Sequence, residues 1–181
     1  MKYIVYLQKI GKVDSSILIR LKKNLQWLLR KYKIKIEILQ NIFPILNDEC
    51  IEEEKEYSGR LILERLENTV TPQNQIKVLG LINEDIKTIR TKHLFGLTNL
   101  KCSCALISTI RLQVDKSDIA KFEQRVLKVA VHELGHTFGL THCNNECIMR
   151  LSKSLKELDE KPKEFCSLCD LQLRQFIKSY K

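Results

Sequence analysis

The stretch that decides the reading is His132-Glu133-Leu134-Gly135-His136-Thr137-Phe138-Gly139-Leu140-Thr141-His142. On a helix of 3.6 residues per turn His132 and His136 lie one above the other, so two imidazoles can face one metal ion. Glu133 is rotated by about 100° from His132, near the open side of such an ion without having to be a ligand. Gly139 stands where a left-handed helix cap costs least, and a chain turning there can bring back His142 as a third nitrogen. Three neutral nitrogens leave zinc one open position, which defines a catalytic rather than a structural site. Water at such a site has a pKa of about 7, and Glu133 is placed to take its proton and hand it to a leaving amine. A bare His-Glu-x-x-His arises by accident in many helices. With the glycine and the third histidine added, the chance expectation falls to about 10⁻⁸ per window in a chain so poor in His and Gly.

Upstream of the motif, Ser117-Asp118 offers cap chemistry, and Ile119, Phe122, Val126 and Val129 form the inner stripe of one long helix running to about Phe138. Before it, strand and helix signals alternate. Tyr3 to Gln8 is β-branched and aromatic; Asp14-Ser15-Ser16 caps a helix with Leu18, Leu21, Leu25, Leu28 and Leu29 at helical spacing, ending near Arg30. Ile34, Ile36 and Ile38 alternate with charges as a second strand; Ser58 caps a helix over 58–67; Ile76 to Ile82 makes a third strand. The segment around Asn41 to Pro44 and the acidic run Glu52 to Glu56 read as connecting material, and Thr71-Pro72 as a break. Over 91–112 the pattern is strand-like, with His93 on a strand, Gly96 as a bend and Cys104 to Leu112 as a strand whose neighbourhood adds an antiparallel edge. Strands alternating with helices predict an α+β fold: a mixed, mostly parallel twisted sheet covered by helices. With neither repeat nor linker, the chain reads as a single domain, 1–181, with the sheet and active-site helix in 1–139 and a short C-terminal subdomain in 140–181.

Downstream, Cys143 and Cys147, then Cys166 and Cys169, are two pairs with the spacing of a tetrahedral structural zinc. Four thiolates fill the shell, so that site activates no water. It would staple the loop after His142 to a last helix spanning 169–180, in which Leu171, Leu173, Phe176 and Ile177 dock. The alternative is four free thiols, or disulfides in an oxidising setting. Locally the cysteine site is net −2 and the histidine site net +2, so the latter would attract a carbonyl or carboxylate. Cys50, Cys102 and Cys104 have no spaced partner set and read as small buried hydrophobes, with a weak metal or redox role for the latter two left open.

Composition bounds the rest. In 181 residues, 44% are hydrophobic and 29% charged, an ordinary globular mixture long enough for a core without disulfide staples. No apolar run reaches the roughly 18 residues of a membrane span, and the opening Met1 to Lys9 is too short and polar for a secretory signal. A cytoplasmic monomer with no membrane partner is the expectation. The formal +9 is scattered over Lys22-Lys23, 30–35, Lys161 and Lys163 rather than blocked, so nucleic acid is not the favoured partner.

The zinc motif, then Cys143-Asn144-Asn145-Glu146-Cys147-Ile148-Met149, then Cys166-Ser167-Leu168-Cys169, resembles the archaemetzincin (archaelysin) family of metzincin-clan metalloproteases. The match lies in the C-terminal third. The resemblance implies a zincin-like fold and peptide-bond hydrolysis of a peptide or protein substrate. It implies a catalytic zinc on His132, His136 and His142 with Glu133 as general base and acid, and a second, structural zinc on Cys143, Cys147, Cys166 and Cys169. It also makes Met149 the methionine of the clan's Met-turn beneath the site; read from sequence alone, Met149 is an apolar loop residue. The rival reading is a zinc-stabilised, non-catalytic module whose basic surface holds RNA or an acidic protein. Against it, nothing in a mere scaffold requires Glu133.

Overall fold

In the computed structural model, residues 3–51, 56–69, 75–89, 91, 93–99 and 102–179 are described. The elements run β1 (Ile4–Ile10), α1 (Ser15–Leu29), β2 (Lys35–Ile38), β3 (Cys50–Ile51), β4 (Glu56–Ser58), α2 (Gly59–Thr69), β5 (Ile76–Ile82), β6 (Ile86–Lys87), β7 (Gly96–Thr98), β8 (Cys104–Ser108), α3 (Ile119–Thr137), α4 (Leu155–Glu160) and α5 (Ser167–Ser179). The main sheet has the order β2-β1-β5-β8-β7. Its first four strands are parallel, and β7 closes the edge antiparallel to β8. The expected mixed, mostly parallel sheet with helices is what the chain forms.

The period of two along the central strands sorts residues to two faces. Leu79 and Leu81 with Ala105 and Ile107 meet Leu18, Leu21 and Leu25 of α1 and Phe122, Val126 and Ala130 of α3. Val78 and Ile82 with Cys104 and Leu106 meet Ile62, Leu63 and Leu66 of α2 on the other side. Strands covered on both faces read as near-continuous apolar runs, as β5 and β8 do. Leu158, Cys169 and Leu173 join the α1/α3 side, so α4 and α5 extend the same core.

Local chemistry explains most boundaries. The Asp14 carboxylate accepts from the Ser16 amide at 2.9 Å at the start of α1, and that of Asp118 from the Lys121 amide at 2.9 Å at the start of α3. Ser58 Oγ accepts from the Leu61 amide at the start of α2. Such caps satisfy donors that a helix start leaves orphaned.

Several expectations need correcting. The antiparallel edge expected beside Cys104–Leu112 is β7; the strand Cys104–Leu112 itself is shorter, an interior β8 ending at Ser108, and Ile110–Leu112 is a 3-10 turn. Gly96 is not a bend but opens β7. His93 is not in a strand; it takes φ 58°, is exposed, and sets Nδ1 2.9 Å from Glu56 Oε1. The connecting region contains β3 and β4, which with β6 form a small second sheet. Elements of two or three residues are held by register with neighbours and carry no periodicity of their own. Ile119 is 53% exposed rather than on the inner stripe, and Leu171 also faces outward. Cys104 alone of its pair lies in β8 and is buried, while Cys50 and Cys102 are only half-buried. The break at Thr71-Pro72, residues 52–55 of the acidic run and Tyr180 lie outside the described residues. No helix among the described residues is long and apolar enough to cross a membrane.

Candidate active site

Helix α3 ends in a double backbone cap. The Gly139 amide bonds the His136 carbonyl at 2.9 Å, the Leu140 amide bonds the Gly135 carbonyl at 3.0 Å, and Gly139 takes φ 80°. This is the Schellman arrangement. It turns the chain so that the Leu140 carbonyl accepts from His136 Nδ1 at 2.7 Å. The Ile148 carbonyl does the same for His132 Nδ1 at 2.9 Å. A carbonyl only accepts, so each Nδ1 carries the proton and each Nε2 presents a bare lone pair.

Those two Nε2 atoms are 3.2 Å apart. Two lone pairs at that distance repel unless a cation lies against both, and nitrogens about 2.0–2.1 Å from a tetrahedral zinc are separated by about 3.3 Å. His142, exposed beyond the turn, sets its ring centroid 5.3 Å from that of His132 and 5.0 Å from that of His136. One nitrogen from each ring lies within 4.8 Å of the others. Burial pushes His132 down to about 3, helped by the Lys161 ammonium, and lowers His136 and His142 as well. Neutral imidazoles are what a metal requires. The donor set fits zinc.

Glu133 is 8% exposed and faces the same cleft, of about 580 Å³. Burial pushes its carboxyl up to about 7, opposed by the Thr98 hydroxyl and the Lys161 ammonium. Thr98 Oγ1 donates to Glu133 Oε2 at 2.6 Å, tying the carboxylate to the edge strand β7. Gly96, two residues earlier, is there for space: a Cβ would come 2.6 Å from Glu133 Cγ and Oε1. Gly135 serves the same end beneath the histidines, where a Cβ would meet Met149 Sδ at 2.4 Å. Met149 is thereby buried against the turn of α3 that carries both histidines.

The other group of donors lies behind this one. The Sγ atoms of Cys143, Cys147, Cys166 and Cys169 all lie within 4.8 Å of one another, with Cys143 and Cys166 at 3.8 Å. Sulfurs about 2.3 Å from a tetrahedral zinc are about 3.8 Å apart. Amides of Met149 and Cys166 donate to Cys147 Sγ at 3.4 and 3.3 Å. The Cys169 amide leads in drawing the Cys166 thiol down to about 6, while burial raises Cys147 and Cys169. All four are free thiols with no disulfide between them. This donor set also fits zinc.

The sequence profile described as Peptidase family M54 matches residues 53–175, two thirds of the chain. The chain belongs to peptidase family M54. The archaemetzincin of Archaeoglobus fulgidus is 41% identical over 100 residues, a stretch covering 55% of this chain and 61% of that relative's length. The crystal structure of the Archaeoglobus fulgidus archaemetzincin complexed with malonate superposes with a TM-score of 0.78 at 28% identity, covering 95% of this chain and 99% of that one. A zinc-dependent peptidase from Methanocorpusculum labreanum gives 0.82 at 25% identity, covering 94% and 99%. The archaemetzincin resemblance read from the motifs thus holds for the family and for the fold.

Sequence reasoning missed Thr98, Gly96 and Lys161 as members of this M54 cleft. None of the three left a signal, whereas the packing of Gly135 on Met149 did: a glycine inside a helix costs about 1 kcal/mol relative to alanine, which asks for a packing reason.

Proposed function

We propose that this chain is a zinc-dependent peptidase in which His132, His136 and His142 hold the catalytic metal. Zinc bound there supplies a Lewis acid for the scissile carbonyl and lowers the pKa of water to about 7. Glu133 takes the proton of the attacking water and returns it to the leaving amine. Thr98 fixes one carboxylate oxygen, which leaves Oε1 for that proton. Burial keeps the carboxyl near 7, so it gains and loses a proton with similar ease. The edge strand β7 offers backbone groups against which an extended peptide can pair.

Met149 is the packing floor that keeps α3 at its height under the rings. Cys143, Cys147, Cys166 and Cys169 hold a second, structural zinc, which makes 140–181 a stapled subdomain. Its work is indirect: it fixes the loop whose Ile148 carbonyl orients His132. The observation that carries the reading is the pair of unprotonated Nε2 atoms 3.2 Å apart beside a buried glutamate. Membership in a peptidase family favours catalysis over the binding-module alternative. The test is Glu133→Ala: two zincs per chain are retained, and peptide turnover falls by about 10³-fold or more. Unchanged turnover overturns the mechanism.

A further inference from the structure

Buried and half-buried cations among the described residues fall into two groups. Arg125 has a bidentate partner, Nε and Nη2 donating to Asp159 at 2.7 and 2.6 Å. Lys77 lies 5.7 Å from the ring centres of both Phe138 and Phe176. Lys128 donates to the carbonyls of Leu158 and Asp159. Lys161 is different. It is 3% exposed, yet among the described residues its ammonium donates only to the Arg150 carbonyl, at 3.2 Å, with no carboxylate in ion-pair reach. An ammonium has three donors, so two remain for something else.

Lys161 lines the cleft together with Glu133 and the three histidines. Glu133, the only acidic residue among the described lining residues, acts on Lys161 through its charge without forming an ion pair with it, and its Oε2 is held by Thr98. A desolvated ammonium with spare donors beside the reacting groups is costly unless an anion completes it. We propose that Lys161 recognises a carboxylate of the bound peptide, making it a specificity-determining residue of the cleft. The carboxylate comes from an Asp or Glu side chain, or from the free end of the substrate chain. A purely mechanical task, anchoring the Met149–Arg150 segment through the Arg150 carbonyl, would use one donor and leave the others stranded.

This inference rests on the zinc-peptidase reading. The experiment titrates the zinc-loaded protein with three peptide hydroxamates of equal length: one with Glu and an amidated end, one with Gln and an amidated end, and one with Gln and a free C-terminal carboxylate. Calorimetry reads binding without turnover. At least one acidic probe is expected to bind about tenfold tighter than the Gln amide, as a charge-assisted hydrogen bond warrants, and the one that does names the source. Lys161→Met should bring the ratio to about one, and Lys161→Arg should restore part of it. The wild-type comparison stands even if a variant folds poorly. Equal binding of all three by the wild type, discrimination that survives in Lys161→Met, or an equal loss for all three with a lowered Tm overturns the inference. Binding of the uncharged probe without acidic preference sinks this inference alone, whereas no binding of any probe to protein that holds its zinc sinks the peptidase reading with it.

Discussion

The histidine and cysteine clusters share one loop, which carries His142, Cys143 and Cys147, and behave in opposite ways. The thiols of Cys143, Cys147, Cys166 and Cys169 close on each other, supported by amide donors from Met149 and Cys166. Three imidazoles close on only one side, and the other opens into a cleft with Glu133. Four anionic donors satisfy a tetrahedral ion and leave nothing to react; three neutral ones leave charge and a coordination position available. The first cluster stiffens the second, because the Ile148 carbonyl that sets the His132 tautomer sits between Cys147 and Met149. On the proposed reading, the histidine cluster borrows its rigidity from the cysteine cluster.

Two variants break that comparison most visibly. His136→Ala should lose one zinc and all turnover while the cysteine zinc and the far-ultraviolet spectrum persist. Cys169→Ser should lose the other zinc and cost several kcal/mol of stability, since structural zinc contributes folding energy directly. It should also weaken the remaining zinc about tenfold through the loosened Ile148 carbonyl, as loss of an outer-shell partner does. Metal analysis and thermal melts read both. If Cys169→Ser leaves histidine-site affinity untouched, the clusters are independent.

Gly96→Ala sharpens the comparison from the cleft side. The added methyl displaces the Glu133 carboxylate from its Thr98 partner, and misplacement by about 1 Å costs about 10²-fold in turnover. Zinc content should not change, because no ligand is touched. Full activity in that variant would mean that Glu133 has room the structure does not show.

The smallest effect tests the helix that links the two regions. Arg125, 8% exposed, grips Asp159 of α4 from α3. Hydrogen bonds from Arg125 hold the Asp159 carboxyl below the usual carboxylate range, with burial opposing and Lys121 assisting. Asp159→Asn should therefore cost about 2 kcal/mol at pH 7 by leaving a buried guanidinium half-paired. A depressed folded pKa gives stability that is complete above the unfolded value near 3.9 and lost as pH falls through the folded one. The gap between wild type and variant should narrow below about pH 4; a gap constant with pH would mean that packing, not charge, holds α4.

Much of the scaffold could be read early because its signals are local. Asp14 and Asp118 cap their helices by bonding amides two or three residues away, and Gly139 ends α3 through its own backbone. The strand Ile76–Ile82 was legible to the residue because its buried run has strand length and strand composition. The edge strand itself was missed for the opposite reason. Cys104–Ser108 is apolar because it is covered on both faces, whereas Gly96–Thr98 is too short for any pattern and gains its strand character from β8. The six polar-rich residues of α4 gave no stripe to find.

By itself the sequence determined the donor types, their order and the helical phase that stacks His132 over His136, because spacing along a helix is geometry independent of surroundings. Tertiary structure alone decided that Gly96 makes room for Glu133, that Thr98 holds it, and that Lys161 is left with donors to spare. Those relations join residues 28 to 37 positions apart, and no local force encodes them; they exist only once the sheet edge and α4 are packed around the same cleft.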